Sequence, residues 1–315
     1  MGPDPDAPQR QATVTAEDPV LSVVVLSYDR PAYLREALGA LVAQRIARRE
    51  IVVVDNRSAS SDAVADVVAG FPEVRLLALS ANLGFTGGMN VGLAQATGRY
   101  VLLTEDDIVV QPGCLEAFLE SSRRGRDRAV LTGVILDDGT RRIRCAGGEV
   151  ALGPPFRMQV IGAGEDLAAV RDEPYQVSFA PGALLFLPRD ALRTLGGFRA
   201  EYFMYFEDVE LCLRAQRLGI PITVVPSARV VHLPPGAGPA SSQIEYHKVK
   251  NLLATYFLHA RLSALPSVIA RYVLLEAVRR LSAQPRQFTT FLRACGWACA
   301  HAPGLLRARG RGART

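Results

Sequence analysis

The hydrophobic pattern alternates between short β-branched runs and stretches of helical period. Leu21 to Ser27 and Ile51 to Val54 are near-continuous apolar runs, the pattern of strands buried on both faces of a sheet. Between them, Leu34, Leu38, Leu41 and Val42 recur at helical spacing behind Pro31, a residue at home in a first helical turn. Val74 to Leu79 predicts a third strand and Tyr100 to Leu103 a fourth, with a helical stretch through Ala96 that stops at Gly98. The order β-α-β-α-β-α-β predicts an α/β protein with a mostly parallel sheet and helices on both faces. A helix over Pro112 to Arg123 and a strand over Ala129 to Ile135 follow. Asp137 to Asp172 is rich in Gly, Arg and Pro and poorly periodic, which predicts hairpin and surface loop, a place to meet an acceptor. Order resumes over Val177 to Leu187, followed by a short helix from Pro188 to Gly196. A further helix starts at Glu207 with Leu211, Ala215 and Leu218 on one stripe. Strand segments over Ile222 to Val225 and Val230 to His232 come last.

The chemistry lies where these strands end. The fourth strand runs directly into Glu105-Asp106-Asp107. In an open parallel sheet, ligands sit at the carboxyl ends of the strands. Three adjacent carboxylates suit a hard cation such as Mg²⁺ or Mn²⁺, or equally a solvated acidic turn. The second strand ends on Asp55, which can meet a nucleoside or, like Ser58, cap the next helix. Asn82 to Asn90 holds Gly84, Gly87 and Gly88 between a strand and a helix. Such a segment serves as a plain turn or as a phosphate neighbour. It is not the G-x-G-x-x-G of dinucleotide folds. Glu207-Asp208 opens a helix, where acids complement the helix dipole. The preceding Tyr202-Phe203-Met204-Tyr205-Phe206 also predicts a desolvated wall that would suit a carboxylate to proton abstraction. His232, beside valines, reads from its setting alone as structural or as a ligand.

Charge changes the picture at one end. The 315 residues carry a formal +5, but from Ser241 onward twelve Lys/Arg face two acids, a net of +10 that leaves −5 for the rest. A basic, apolar-rich tail predicts either an anionic membrane surface or a helical cap on the main domain. No aromatic-interleaved basic patch supports a nucleic-acid partner. Five cysteines without a C-x-x-C pair speak against zinc and a disulfide framework, which suits a reducing cytoplasm. No run of 18 uncharged apolar residues predicts a transmembrane helix. Residues 1–19, with four prolines, predict a disordered lead-in rather than a signal peptide.

In order, these segments resemble the family 2 glycosyltransferases, inverting enzymes of GT-A fold, and in particular their rhamnosyltransferase and galactofuranosyltransferase branch. The resemblance runs from about Val20 to Leu258. It rests on Val23 to Arg30, Val53 to Ser58, Asn82-x-Gly84-Phe85-x-Gly87-Gly88-x-Asn90, the acidic strand end, Gly196-Gly197-Phe198, Tyr205 to Leu211 and Val231-His232. It implies a GT-A domain over 20–240 and a basic amphipathic helical region over 241–315. Ser27, Tyr28, Asp29, Arg30 and Asp55 would cradle the donor's base and ribose. Asn82, Gly84, Gly87 and Asn90 would form the turn beside the sugar nucleotide, with Asp106 also at the donor. Asp107, Glu105 and His232 would hold a divalent metal ion, Mg²⁺ or Mn²⁺, with Glu105 standing where Asp or Asn is usual. Asp208 would be the catalytic base, with Glu207 beside it. The resemblance also implies a dTDP-rhamnose or UDP-sugar donor and a glycan or lipid-linked acceptor, for an enzyme that is cytoplasmic or peripheral on the inner membrane face. Tyr246 to Asn251 resembles a segment that re-enters the donor site, with Lys250 where Arg is usual. A sugar nucleotidylyltransferase would want a glycine-rich basic loop after the first strand, where Ser27 to Pro31 stands. A catalytically silent sugar-nucleotide-binding module on the same scaffold is the other alternative.

Overall fold

The computed structural model describes residues 20–125, 127–153, 155–234, 241–283 and 287–309. The N-terminal lead-in to Pro19, Arg286, Arg311 and Arg314 lie outside the described residues. The elements are β1 (Leu21–Ser27), α1 (Pro31–Val42), β2 (Arg49–Asp55), α2 (Ser61–Ala69), β3 (Val74–Ala78), α3 (Gly84–Gln95), β4 (Tyr100–Glu105) and β5 (Ile108–Val110). Then come α4 (Cys114–Arg124), β6 (Val130–Asp137), β7 (Ile143–Cys145), β8 (Gly148–Ala151), β9 (Arg157–Val160), β10 (Tyr175–Val177) and β11 (Leu184–Pro188). The chain closes with α5 (Arg189–Leu195), α6 (Glu207–Arg217), β12 (Ile222–His232), α7 (Ser241–His259), α8 (Leu265–Ala283) and α9 (Phe288–Arg307).

The main sheet has the strand order β10-β12-β6-β11-β4-β1-β2-β3. Parallel pairing joins β3, β2, β1 and β4, and again β6 and β12, while β11 is antiparallel to both β4 and β6. Alternate residues of the buried strands feed two cores. Val23, Val25, Ile51, Val53 and Leu102 pack under α1, α2 and α4, and Val24, Val54, Val101 and Leu103 pack under α3, α5 and α6. This is the expected mostly parallel sheet with helices on both faces, followed among the described residues by three C-terminal helices.

Several boundaries differ from the sequence expectation. Pro188 ends β11 instead of opening α5, because its fixed φ serves the N-cap and its missing N–H costs the strand little there. The two expected segments at the end of the sheet form one strand, β12, with a register shift between Val224 and Arg229 that absorbs the break. Leu218 lies past the end of α6 and is 39% exposed, so the buried stripe stops at Ala215. The poorly periodic stretch after β6 contains β7 and the β8–β9 hairpin.

Candidate active site

The carboxyl ends of β1, β2, β4 and β12 converge with the start of α6. A cavity of about 680 Å³ opens there, lined among others by Tyr28, Asp29, Arg30, Asn82, Gly84, Glu105 and Asp106. Asp106 and Asp107 occupy the tight turn between β4 and β5. The antiparallel pairing of β5 with β12 sets His232 opposite Ile108, and Leu233 N–H donates to the Asp107 carbonyl at 2.8 Å. Strand pairing therefore brings together residues more than a hundred positions apart.

Each acid of the triplet meets a different environment. Asp106 is buried and accepts hydrogen bonds from Ser27 Oγ at 2.9 Å and from the Tyr28 N–H at 3.0 Å. Burial nevertheless raises its pKa to about 7. Asp107 Oδ2 is bound by Arg30. Asp107 Oδ1 has no hydrogen-bond partner and lies 3.5 Å from His232 Nε2, while His232 Nδ1 is also unpartnered. Burial works against ionisation of Asp107, but His232 and Arg30 together hold its carboxyl below the usual range. Glu105 is pushed up to about 8 by burial and by the charges of Asp107 and Asp106.

Glu207 and Asp208 open α6, and burial raises the pKa of both. Asp208 Oδ2 accepts the Gly182 N–H at 3.2 Å, and Glu207 Oε2 has no partner. A Cβ on Gly182 would meet Phe85 Cζ at 3.2 Å and Asp208 Cβ at 3.5 Å. Phe85 lines the cavity, so Asp208 lies beside its wall. The turn before α6 is unusual, since Phe203, Tyr205 and Phe206 have φ of 64°, 66° and 67°. Bulky residues rarely adopt that region, and such strain needs support from outside the segment. The support is Asn251 on α7, fully buried, whose Nδ2 donates to the carbonyls of Tyr202 (2.8 Å), Met204 (2.8 Å) and Tyr205 (2.6 Å). Lys250 Nζ also binds the Glu201 carbonyl. The expected re-entry of Tyr246 to Asn251 thus takes the form of a brace on this turn. The cavity itself is touched by Gln243, which the sequence did not single out.

Other anticipated residues stand behind the cavity rather than in it. Ser27 is buried against Asp106, and Asp55 accepts from the Ser58 N–H (3.0 Å) and from Ser61 Oγ at the entry to α2. Asp29, at the cavity, also accepts from the Ser60 N–H at 3.0 Å. Asn90 exchanges two hydrogen bonds with the Phe198 backbone, tying α3 to the Gly-Gly-Phe corner. Gly87 and Gly88 lie inside α3, where a Cβ on Gly88 would approach Leu26 Cδ1 to 2.4 Å. Close packing of α3 on β1 therefore explains that glycine without a phosphate. Gly84 has φ +69°, and a Cβ there would meet the Phe203 carbonyl at 2.4 Å. The organiser of this turn is Asn56, absent from the anticipated set. Its Nδ2 donates to Asn82 Oδ1 (3.1 Å) and the Gly84 carbonyl (3.0 Å), and its Oδ1 accepts the Leu83 N–H (2.9 Å). An amide two residues past a run of valines, at a strand end, was the available signal.

Among the described residues no group of three His, Cys, Asp or Glu side chains forms a metal cage. The residues that fit a divalent cation are Asp107 and His232, through the unpaired carboxylate oxygen and imidazole. That leaves the remaining ligands to come from a bound substrate.

A family model described as "Glycosyltransferase like family 2" matches residues 19–246. The chain belongs to this family. It is 29% identical over 255 residues to the N-acetylglucosaminyl-diphospho-decaprenol L-rhamnosyltransferase of Mycobacterium tuberculosis, a match covering 73% of this chain and 82% of that one. Among solved structures it resembles GalNAc-T7 with UDP, GalNAc and Mn²⁺ (TM-score 0.61, 16% identity, 77% of this chain), spanning about half of that chain, 48%. It also resembles the Pyrobaculum calidifontis mannosyltransferase PcManGT with GDP-Man and Mn²⁺ (TM-score 0.55, 19% identity), over 92% of this chain and 79% of that one. At those identities the two structures speak for the fold. The family makes the protein a glycosyltransferase, which removes the nucleotidylyltransferase alternative.

Proposed function

We propose that this glycosyltransferase moves a sugar, with inversion, from a nucleoside-diphosphate donor to a hydroxyl of a lipid-linked acceptor. A dTDP-rhamnose donor is favoured over a UDP-sugar by the mycobacterial relative, whose name describes L-rhamnose transfer onto a diphospho-decaprenol lipid. The observation that carries the reading is the cavity at the strand ends, lined by Glu105, Asp106 and Phe85, with Asp107 next in the chain and 3.5 Å from His232, and Asp208 across Gly182 from the lining Phe85. Asp208 accepts the proton of the acceptor hydroxyl as its oxygen forms a bond to the anomeric carbon. The bond from that carbon to the diphosphate oxygen breaks on the opposite face, and its electron pair leaves with the nucleoside diphosphate. The raised pKa of Asp208 suits it to that role. When bound by Asp107 and His232, a divalent cation supplies positive charge where the leaving diphosphate gains negative charge. Arg30, beside Asp107 and 3.6 Å from Asp106 Oδ1, adds a fixed cation to the same wall.

The C-terminal helices support a peripheral membrane position. No helix among the described residues is long and apolar enough to cross a membrane. On α8, however, Leu274, Leu275, Val278 and Leu281 are exposed at helical spacing near Arg271 and Arg279. An apolar stripe flanked by arginines is the pattern of an interfacial helix.

The test is Asp208→Asn. The variant should retain the thermal shift given by dTDP-sugar and Mn²⁺ yet lose roughly 10²–10⁴-fold in transfer rate. A variant that melts lower but transfers normally would make Asp208 a helix-dipole partner, worth only about 0.3–1 kcal/mol.

A further inference from the structure

A second hollow, of about 320 Å³, lies between α7 and α8. Phe156, Phe206, Val249, Leu252 and Tyr256 give it an apolar floor. Its rim carries Lys248, Arg271, Arg279 and Arg280 against Glu245 and Glu276. Arg280 binds both acids, and Arg279 shares Glu276 at 2.9 Å. Lys248 and Arg271 therefore border the hollow with no carboxylate partner among the described residues, the Lys248 ammonium lying 5.2 Å from the Tyr205 ring centroid. Apolar walls beneath two uncompensated cations complement a molecule that joins hydrocarbon to concentrated negative charge.

Its position ties the hollow to the chemistry. Phe206 forms part of the wall and directly precedes Glu207 and Asp208, a span of at most about 7 Å along the chain. Gln243 on α7 lines the donor cavity, while Glu245 and Lys248, within the next two turns, line this hollow. One helix thus stands between the two chambers. On α8, Arg271 and Leu275 are one turn apart and sit where the hollow meets the exposed stripe, of which Leu274 is 65% exposed. On the far flank of α8, another hollow is lined by Phe257, Leu265, Ile269, Val273, Leu274 and Ala277. It has no charged side chain and suits hydrocarbon alone.

We infer that the hollow between α7 and α8 seats the diphosphate and first isoprene units of an isoprenyl-diphosphate-linked acceptor. Lys248 and Arg271 bind the diphosphate, the floor takes the isoprene, and the acceptor's sugar reaches past Phe206 toward Asp208. This rests on the lipid-acceptor reading above and adds where that lipid is held.

The test uses the full chain with farnesyl diphosphate as probe, titrated calorimetrically in saturating dTDP and Mn²⁺. Saturable binding that persists beside the nucleotide is expected. Lys248→Ala/Arg271→Ala should weaken it by about tenfold or more, since charge-assisted hydrogen bonds to phosphate are among the strong ones. Both residues are exposed, so melting temperature and the nucleotide-induced shift should stay at wild-type values. Inorganic diphosphate or farnesol alone should bind much more weakly. Displacement of farnesyl diphosphate by dTDP, equal binding of inorganic diphosphate, or indifference to the double substitution would each overturn the inference while leaving sugar transfer intact. Absence of any nucleotide-induced shift in the wild type would instead refute the donor reading itself.

Discussion

Asn251→Leu is the most informative single perturbation, because it keeps the number and branching of the side-chain heavy atoms while removing every hydrogen bond they make. Asn251 donates to the carbonyls of Tyr202, Met204 and Tyr205 across a turn with three bulky residues at positive φ. Each such residue stores about 1–3 kcal/mol of strain, which persists only while its surroundings hold it. Tyr202's carbonyl keeps partners in the Met204 N–H at 2.7 Å and Lys250 Nζ at 3.4 Å, so its loss is small. The Met204 and Tyr205 carbonyls lose the Asn251 donor, at about 1–2 kcal/mol each. The variant should therefore be about 2–4 kcal/mol less stable, a fall of roughly 3–6 °C in melting temperature for a chain of this size. Asp208, the proposed base, sits three residues beyond Tyr205, and a displacement of about 1 Å at a catalytic group can cost about 10²-fold. Turnover measured well below the variant's melting temperature should thus fall about 10²-fold. Asn251→Asp should be worse, since it turns a carboxylate oxygen toward three carbonyl oxygens. Wild-type turnover in a destabilised Asn251→Leu would refute the reasoning, showing that the turn keeps its shape without the brace.

Three other outcomes are expected. Asp107→Asn should sharply weaken Mn²⁺-dependent nucleotide binding and transfer; full activity of the wild type in excess EDTA would refute a metal role for this carboxylate. Leu274→Asp/Val278→Asp should release the protein from anionic liposomes without altering the nucleotide-induced thermal shift, and undiminished co-sedimentation would make α8 a mere cap. Glu210 is buried between Arg199, Arg214 and His259. Burial opposes its ionisation, but Arg214, His259 and Arg199 hold its pKa at about 2, below the ordinary 4.5. The unfolded chain binds the proton first, so this contribution, roughly 3 kcal/mol, is full above about pH 4.5 and is lost as pH falls toward 2. Urea midpoints between pH 2 and 5 should follow that slope, and an equal slope in Glu210→Gln would assign it to other groups.

The strands were legible because β-branched runs such as Val23 to Val25 and Val52 to Val54 have no other stable use in a chain of this composition. The placement of β11, antiparallel between β4 and β6, was not, because a doubly buried strand looks the same in either direction. Among candidate site residues, Asp107 and Asp208 drew notice by type and by their place at element ends, whereas His232 beside valines was singled out only by the family resemblance. Asn251 was legible only as part of a resemblance, since it acts on a turn 46 to 49 residues earlier. Nor could propensity reveal the positive φ of Phe203, Tyr205 and Phe206, because aromatic residues argue against that conformation. Asp55 shows the opposite limit. An acid at a strand end fits both a nucleoside contact and a cap, and the hydrogen bonds from Ser58 and Ser61 satisfy the second.

The acidic triplet settles into a division of labour that its sequence left open. Three adjacent carboxylates could have formed a single cation cage, but the backbone sends them to different neighbours. Asp106 turns inward, where Ser27 and the Tyr28 N–H satisfy one of its oxygens and fix the end of β1 against the end of β4. Glu105, the last residue of β4, stays at the cavity, where burial and its neighbours disfavour its charge. Only Asp107 combines a favoured negative charge with a buried, unpaired oxygen beside an imidazole. Arg30 on its other oxygen keeps that charge in place, so in the proposed metal role the carboxylate would meet a divalent cation already ionised and oriented. A substitution at Arg30 should therefore weaken metal-dependent nucleotide binding even where it contributes nothing directly to the nucleotide. Arg30→Gln with a wild-type Mn²⁺ requirement and affinity would show that His232 alone suffices to hold Asp107 ready.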